Sequence, residues 1–264
     1  MSIREEAVSG QFYPDTKDEI IRYIEHFNNI LKQNKIKTDK SSNPKALIVP
    51  HAGYVYSGFT ANLAYKYIPK NIKNVIVIGP SHKFAFEGAS VSMYDSYSTP
   101  LGSFEINRSL GTSLMEKFDF LSFDDKVHCE HSTETQFPFI KYYMPNVKVL
   151  EIVYSSASYK DISKVIQELL EDKENFVVIS TDLSHFYDQD TANKLDNICL
   201  ASIDKLDLDI EKKGCQACGM IGVKAIIDTA KIKSMQSKLL DYRTSADTSG
   251  DDKRVVGYTS ALIY

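Results

Sequence analysis

Short apolar runs alternate with amphipathic segments along this 264-residue chain, and that alternation constrains the fold more than any other feature. Continuous apolar runs of this length are typical of strands buried in a parallel sheet that is covered on both faces. We expect such strands at 46–49, 74–78, 147–153 and 176–179. The tail, 255–264, predicts a last strand at the domain core.

Segments with helical spacing fit between these runs. The predicted helices span 15–31, 58–67, 107–118, 133–143, 159–171 and 190–206, and one more follows Cys218 as far as Ile227. Thr133 and Gln136 have the spacing of a capping box at the start of the fourth helix. No break in composition divides the chain. We therefore expect one α/β domain over 1–264, with a central, largely parallel or mixed sheet and helices on both faces.

Charge and cysteine content narrow the class of protein. The chain has 31 Lys and Arg against 35 Asp and Glu, a net charge of −4 that argues against binding nucleic acid or an anionic membrane. Four cysteines are too few for a disulfide-framed secreted domain. The uncharged stretch 46–65 contains Pro50, His51 and two glycines, which favours strand, turn and helix over a membrane span. No apolar signal segment follows Met1, so a cytoplasmic protein is expected.

Histidines follow three of the predicted strands. His51 comes after the strand at 46–49, His82 after that at 74–78, and His185 after that at 176–179. Because ligands of parallel sheets bind beyond the carboxyl ends of the strands, these side chains are expected at one shared pocket. Asp182 precedes His185 by three residues and is expected to orient it as an acid or base.

A thiolate from Cys218 is the most economical third ligand beside His51 and His82. Two imidazoles and one thiolate suit iron, copper or zinc rather than magnesium or calcium. Because strand ends contribute little to core packing, His51→Ala or His82→Ala should remove the metal and leave the fold intact. If Cys218 is not the ligand, Asp182 is the nearest carboxylate that could replace it.

The remaining histidines and cysteines allow simpler interpretations. His131 should lie just before a helix, either as a second-shell or acid–base residue or as a structural hydrogen-bonding residue. His128 and Cys129 are expected to be structural, and Cys199 an inert core residue of a helix. Cys215 has the spacing to form a disulfide with Cys218 under oxidising conditions.

Collinear motifs that run almost the whole length of the chain resemble those of one known family. They are Arg4-x-x-Ala7-Val8-x-Gly10-x-Phe12-Tyr13-Pro14, Pro50-His51-Ala52-Gly53-Tyr54-x-Tyr56-Ser57-Gly58, Gly79-Pro80-Ser81-His82, Thr99-Pro100-Leu101-Gly102, Glu130-His131-Ser132-x-Glu134-x-Gln136-x-Pro138-Phe139, Ser180-Thr181-Asp182-Leu183-Ser184-His185, Cys218-Gly219 and Val255-Val256-Gly257-Tyr258. The chain resembles the MEMO family, which is called AmmeMemoRadiSam system protein B in prokaryotes.

The resemblance implies a fold similar to that of the class III extradiol dioxygenases, which are non-haem iron enzymes. By position, His51, His82 and Cys218 would bind the metal, Fe(II) first with Cu or Zn as alternatives. Asp182 and His185 would line the same pocket and His131 its rim. The family name implies partners similar to a radical SAM enzyme and to AMMECR1.

Three functions are compatible with these expectations. The first is an iron-dependent oxidoreductase related to the dioxygenases. The second is a non-catalytic module that binds a metal or an anion, since eukaryotic relatives are associated with phosphotyrosine peptides. The third is a zinc hydrolase, in which the metal polarises water. In each, a small molecule or a peptide would occupy the metal pocket.

Overall fold

In the computed structural model, which describes residues 2–35 and 43–264, most strands belong to one large sheet. The strands are β1 (Ile3–Arg4), β2 (Ala46–Val49), β3 (Asn74–Pro80), β4 (Ala89–Val91), β5 (Ser96–Tyr97), β6 (Phe104–Glu105), β7 (Leu121–Ser122), β8 (Lys148–Tyr154), β9 (Asn175–Ser180), β10 (His185–Tyr187), β11 (Ser237–Thr244) and β12 (Val255–Ile263). Each long apolar run of the sequence is thus a strand, as predicted.

Helices flank this sheet on both faces. They are α1 (Lys17–Gln33), α2 (Tyr54–Tyr65), α3 (Arg108–Lys117), α4 (His131–Glu134), α5 (Phe137–Tyr143), α6 (Tyr159–Leu169), α7 (Gln189–Lys205), α8 (Leu208–Glu211), α9 (Met220–Ile232) and α10 (Ala246–Ser249). Among the described residues, none of these helices combines the length and the apolar composition needed to cross a membrane.

The centre of the large sheet consists of four parallel strands in the order β2-β9-β3-β8. Beyond β8 lie β4, which is antiparallel to it, and then β7. On the other side, β12 runs antiparallel to β2 and pairs with β11 and β10 as well. The sheet is therefore mixed, and the expected α/β class is confirmed. A separate small sheet has the order β1-β5-β6.

The order of the central strands positions the site. β9 lies between β2 and β3, so its carboxyl end is adjacent to those of the two strands that precede His51 and His82. β2, β3 and β9 pair in parallel, with Val49 opposite Ser180 and Ile78 opposite Ile179. Because parallel strands end on the same edge of a sheet, segments from three distant parts of the chain meet there.

The predicted helix at 133–143 is wrong in its details. Two helices occupy this region, and the first begins at His131 with Glu130 as its N-cap, whose carboxylate accepts from the Ser132 amide at 3.3 Å. Thr133 therefore lies inside α4 and does not form the expected capping box. A second helix, α5, starts at Phe137, because the following Pro138 is tolerated only in a first helical turn.

A buried ion pair fastens the N-terminal segment to α4. Arg4 and Glu134 are 2% and 1% exposed, and Arg4 Nη1 lies 2.5 Å from Glu134 Oε2. The Glu134 carboxylate also accepts from the amides of Ala7 and Val8 and from the Tyr13 hydroxyl, all within 2.9 Å. These donors satisfy a buried charge, so residues 4–13 are held against the helix that begins at His131.

Candidate metal centre

Three side chains that are far apart in sequence converge at the carboxyl edge of the sheet. Ligand atoms of His51, His82 and Cys218 all lie within 4.8 Å of one another. His51 Nε2 is 3.2 Å from Cys218 Sγ. Nitrogen and sulfur ligands of one metal ion are separated by about 3.1 Å at a 90° bond angle and about 3.6 Å at a tetrahedral angle. The observed distance fits this range, and the three side chains form a group that could hold one metal ion.

Hydrogen bonds determine the tautomer of His51. The Ser180 hydroxyl donates its only proton to the carbonyl oxygen of Ser132 and accepts a bond from Gln136 Nε2 at 2.9 Å. Ser180 Oγ can therefore only accept from His51 Nδ1, which is 3.0 Å away. The proton of the neutral His51 ring is thus on Nδ1, and the lone pair of Nε2 faces Cys218. A metal-binding imidazole needs this arrangement.

Glu130 holds two further imidazoles in the same way. Its Oε1 lies 3.1 Å from His82 Nδ1 and 2.8 Å from His131 Nδ1, and its Oε2 accepts from the His82 amide at 2.7 Å. Burial alone would raise the pKa of Glu130, but the hydrogen bonds from His131 and His82 outweigh it and hold the pKa well below its usual value. The ionised carboxylate therefore keeps both Nδ1 atoms protonated and both Nε2 lone pairs free for the pocket.

The rings of the three histidines surround one point. Ring centroids are 5.3 Å apart for His51 and His82, 5.4 Å for His51 and His131, and 4.5 Å for His82 and His131. His131, the first residue of α4, also contacts Phe12, with centroids 4.6 Å apart. The N-terminal segment thus packs against His131 through Phe12.

Cys218 is positioned by reciprocal backbone contacts with the end of β9. The Asp182 amide donates to Cys218 Sγ at 3.2 Å, and the Cys218 amide donates to the Asp182 carbonyl at 3.2 Å. Gly219 permits this approach, since a Cβ at that position would lie 2.7 Å from the Ser180 carbonyl oxygen and 2.6 Å from Thr181 Cβ. Packing therefore requires a glycine after Cys218.

Burial keeps Cys218 and His51 neutral when no cation is bound. Burial, followed by the nearby Asp182 carboxyl, raises the pKa of the Cys218 thiol to about 12. Burial above all, and then His131 and His82, holds the pKa of His51 well below its usual value. A thiol that donates to a neutral imidazole satisfies both groups, and a cation would take the place of the thiol proton. The donor set therefore fits a transition-metal ion.

Asp182 binds backbone amides and not His185. Its Oδ1 accepts from the His51 amide at 2.8 Å, while His185 Nδ1 donates to the Leu183 carbonyl at 2.8 Å. The expected orientation of His185 by Asp182 is thus replaced by a backbone contact. Burial, the largest influence, raises the pKa of Asp182, although the His51 amide and the nearby His185 oppose it. Asp182 therefore holds the backbone at His51 in place. Among the described residues, its carboxylate belongs to neither group of side chains that could hold a metal ion.

His185 lies on β10, beside a residue with unusual backbone geometry. Phe186 has a φ of 67°, in the left-handed region, and its side chain is 62% exposed. Non-glycine residues in this region cost on the order of 1–3 kcal/mol and cluster at functional sites. Arg254 lies over the exposed Phe186 ring, 5.2 Å from its centroid. Arg254 therefore packs against the residue that follows His185.

Two other expectations have clear outcomes. His128 is fully buried, with Nδ1 2.7 Å from Glu151 Oε2 and Nε2 2.9 Å from Ser90 Oγ, in accord with a structural role. Cys215, expected to pair with Cys218, is instead bonded to Cys199, so Cys199 is a core residue but not an inert one. Cys129 and Cys218 are free thiols.

Three residues that were not predicted to belong to the site complete it. Glu130, Gln136 and Ser180 are buried, and they determine which imidazole nitrogens carry protons. All three belong to the motifs that carry the family resemblance, and these motifs were the signal in the sequence that could have identified them as site residues. The motifs did not reveal that Glu130 and Gln136 orient histidines, because glutamate and glutamine close to the start of a helix also serve as caps.

Similarity to known proteins extends over almost the whole chain. A family model described as "Memo-like protein" matches residues 4–262. A "MEMO1 family protein" of Aquifex aeolicus is 35% identical over 99% of both chains. One from Methanobrevibacter smithii is 33% identical over 98% of this chain and 99% of the relative. Another, from Thermoplasma volcanium, is 32% identical over 98% of both.

A solved structure supports the fold alone. It is an uncharacterized protein, JW3007, from Escherichia coli K12, with a TM-score of 0.53 and 12% sequence identity. It matches 82% of this chain and 98% of its own. The mixed sheet flanked by helices is consistent with the extradiol dioxygenase-like arrangement that the motifs implied. With its motifs, its site and relatives that align over nearly their full length, this chain belongs to the Memo-like protein family.

Proposed function

We propose that this protein binds one transition-metal ion through His51, His82 and Cys218 and acts as a metal-dependent oxidoreductase. The observation that carries the proposal is the Nδ1 protonation of His51 imposed by Ser180, which directs the Nε2 lone pair at Cys218 Sγ, 3.2 Å away. Three protein ligands leave coordination positions open for a substrate, as in other catalytic metal sites.

Iron(II) is the metal we propose first, with copper and zinc as alternatives. Bound iron(II) would supply one-electron redox chemistry and reactivity toward O₂, whereas zinc would supply only Lewis acidity. Glu130 adds a buried negative charge that is hydrogen-bonded to His82. Together with a Cys218 thiolate, it balances the two positive charges of a divalent ion, so the pocket is suited to one such ion.

His131 and His185 are the proposed proton-transfer residues. Each has Nδ1 committed to an oxygen, of Glu130 and of Leu183 respectively, and this leaves Nε2 as a proton acceptor. Among the described residues, neither Nε2 atom has a hydrogen-bond partner. Asp182 is proposed as a positioning residue, because its carboxylate holds the backbone of His51. Proteins similar to a radical SAM enzyme and to AMMECR1 are the partners proposed from the family resemblance.

Metal content after anaerobic purification without chelator tests the proposal. We expect about one metal ion per chain, predominantly iron, because the two three-residue groups that could hold a metal share His82. Nitric oxide should bind the iron(II) form and give an electron paramagnetic resonance signal, because open coordination positions remain. Zinc with no redox-active metal would instead support the hydrolase. A full complement of iron that binds no nitric oxide would support a non-catalytic binding module.

Replacing His185 separates a role in chemistry from a role in folding. In His185→Gln we expect unchanged metal content and stability, because the residue is half-buried and touches no metal ligand in the observed hydrogen bonds. Oxygen consumption by the iron form should fall by about 10²–10⁴-fold if His185 transfers a proton. His26→Gln, at an exposed position of α1, is the matched control. Loss of stability with unchanged consumption per folded molecule would assign His185 to the fold.

A further inference from the structure

Helix α7 is joined to two segments of the candidate site, the one that carries Cys218 and the one that carries His185. Its Cys199 forms a disulfide with Cys215, three residues before Cys218. Its Asp196, fully buried, accepts from the Ser184 amide at 2.9 Å, one residue before His185. The Tyr242 hydroxyl donates to the same carboxylate at 2.8 Å. One helix thus holds the Cys218 segment covalently and the His185 segment by a buried hydrogen bond.

The start of the segment between α8 and α9 makes few contacts with the rest of the protein apart from this disulfide. Lys212, Lys213, Gly214 and Gln216 are exposed, and the short helix that precedes them spans only Leu208–Glu211. The backbone bonds there are local, from the amides of Gly214 and Cys215 to the Glu211 carbonyl at 3.2 and 3.1 Å. The disulfide therefore links the part of this segment before Cys218 to the core, where Cys199 is 1% exposed.

We infer that the Cys199–Cys215 disulfide is a redox-controlled clamp that positions Cys218 for metal binding. The inference rests on the proposed metal site and adds a means of controlling its affinity. Reduction by a phosphine in water breaks the S–S bond. The two sulfurs gain two electrons and two protons, and the phosphine becomes its oxide with the oxygen of water. Both cysteines end as thiols, and the segment before Cys218 is released from α7.

Release of this segment should weaken metal binding without abolishing it. Cys218 keeps its own contacts with Asp182 and the start of α9. In the reduced protein, however, more of the chain before it must be ordered when the metal binds, and ordering costs conformational entropy. We expect the affinity for Co²⁺ to fall about tenfold. The entropy cost of ordering about one additional residue when the metal binds is enough to cause a decrease of this size.

Cobalt(II) titration of the metal-free protein tests the clamp. The probe is Co²⁺, whose thiolate charge-transfer absorption reports binding by Cys218. The oxidised protein is compared with protein reduced by the phosphine, freed of reductant under argon and titrated there. Cys215→Ser removes the disulfide permanently at a half-buried position, and Cys129→Ser, at an exposed free thiol, is the control. Peptide mapping by mass spectrometry verifies the bond in each sample.

The expected pattern is reversible and specific. Reduced wild type and Cys215→Ser should bind Co²⁺ about tenfold more weakly than the oxidised protein. Reoxidation should restore the wild type and not Cys215→Ser, and Cys129→Ser should respond to reduction and reoxidation as the wild type does. Equal affinity in oxidised, reduced and Cys215→Ser proteins would overturn the clamp and leave the metal site standing. No Co²⁺ binding by the oxidised wild type would overturn the proposed function itself. Mapping that finds Cys215 bonded to Cys218 would also refute the clamp.

Discussion

His82→Ala should lower the affinity for a divalent transition metal by at least about 100-fold, more than the loss of an outer-shell partner typically costs. The variant removes one of three ligands and leaves Glu130 with the hydrogen bond from His131. The His82 side chain is 31% exposed, so we expect little change in the free energy of unfolding. Competition with a chromophoric chelator measures the affinity, and His26→Ala controls for the loss of an exposed imidazole.

His51→Ala should have the same effect on metal binding but a larger effect on stability. His51 is 2% exposed, and its ring satisfies the buried Ser180 hydroxyl. Loss of that partner in the core costs about 1–3 kcal/mol, so the expectation that strand-end residues add little to packing holds for His82 and not for His51. Full metal occupancy in the His51→Ala, His82→Ala double variant, measured by elemental analysis, would refute the assignment of both ligands.

Cys218→Ser should abolish the thiolate charge-transfer absorption of the Co²⁺ form and lower its affinity by at least about 100-fold. An alcohol at this position remains protonated and is a poor ligand, whereas the metal deprotonates a thiol. Cys129→Ser, which removes the other free thiol, is the control. Retention of the absorption in Cys218→Ser would show that Cys218 is not the sulfur ligand.

Cys218→Asp should change the preference among metals. The variant presents two imidazoles and a carboxylate, the ligand set that many non-haem iron oxygenases use. We expect the ratio of Fe²⁺ to Zn²⁺ affinity to rise relative to the wild type, because soft thiolate favours zinc and hard carboxylate does not. An unchanged ratio would indicate that Asp182 already supplies the third ligand. Competition between the two ions under anaerobic conditions, followed by elemental analysis, measures this ratio.

Patterns local in sequence were sufficient to predict the strands of the apolar runs, but not β11 or the short strands. The run at 46–49 is apolar throughout and became β2 with the predicted bounds. The region 133–143 was predicted less well, because Thr133 and Gln136 have capping spacing whether or not they cap. The helix starts at His131 because Glu130 caps it while also binding two histidines. A side chain that serves a site can thus determine where a helix begins.

The apolar runs were enough to predict that the segments carrying His51, His82 and His185 follow strands of one sheet, because parallel strands end on one edge. Only the tertiary structure decided which partner each side chain takes. Asp182 binds the His51 amide and not His185, and Cys215 bonds to Cys199, 16 residues away, and not to Cys218. The positions of these strands along the chain follow from hydrophobic periodicity, whereas their order in the sheet, β2-β9-β3-β8, is a property of the tertiary structure. The partner of a hydrogen bond or a disulfide depends on a few ångströms between distant segments, and packing alone sets those distances.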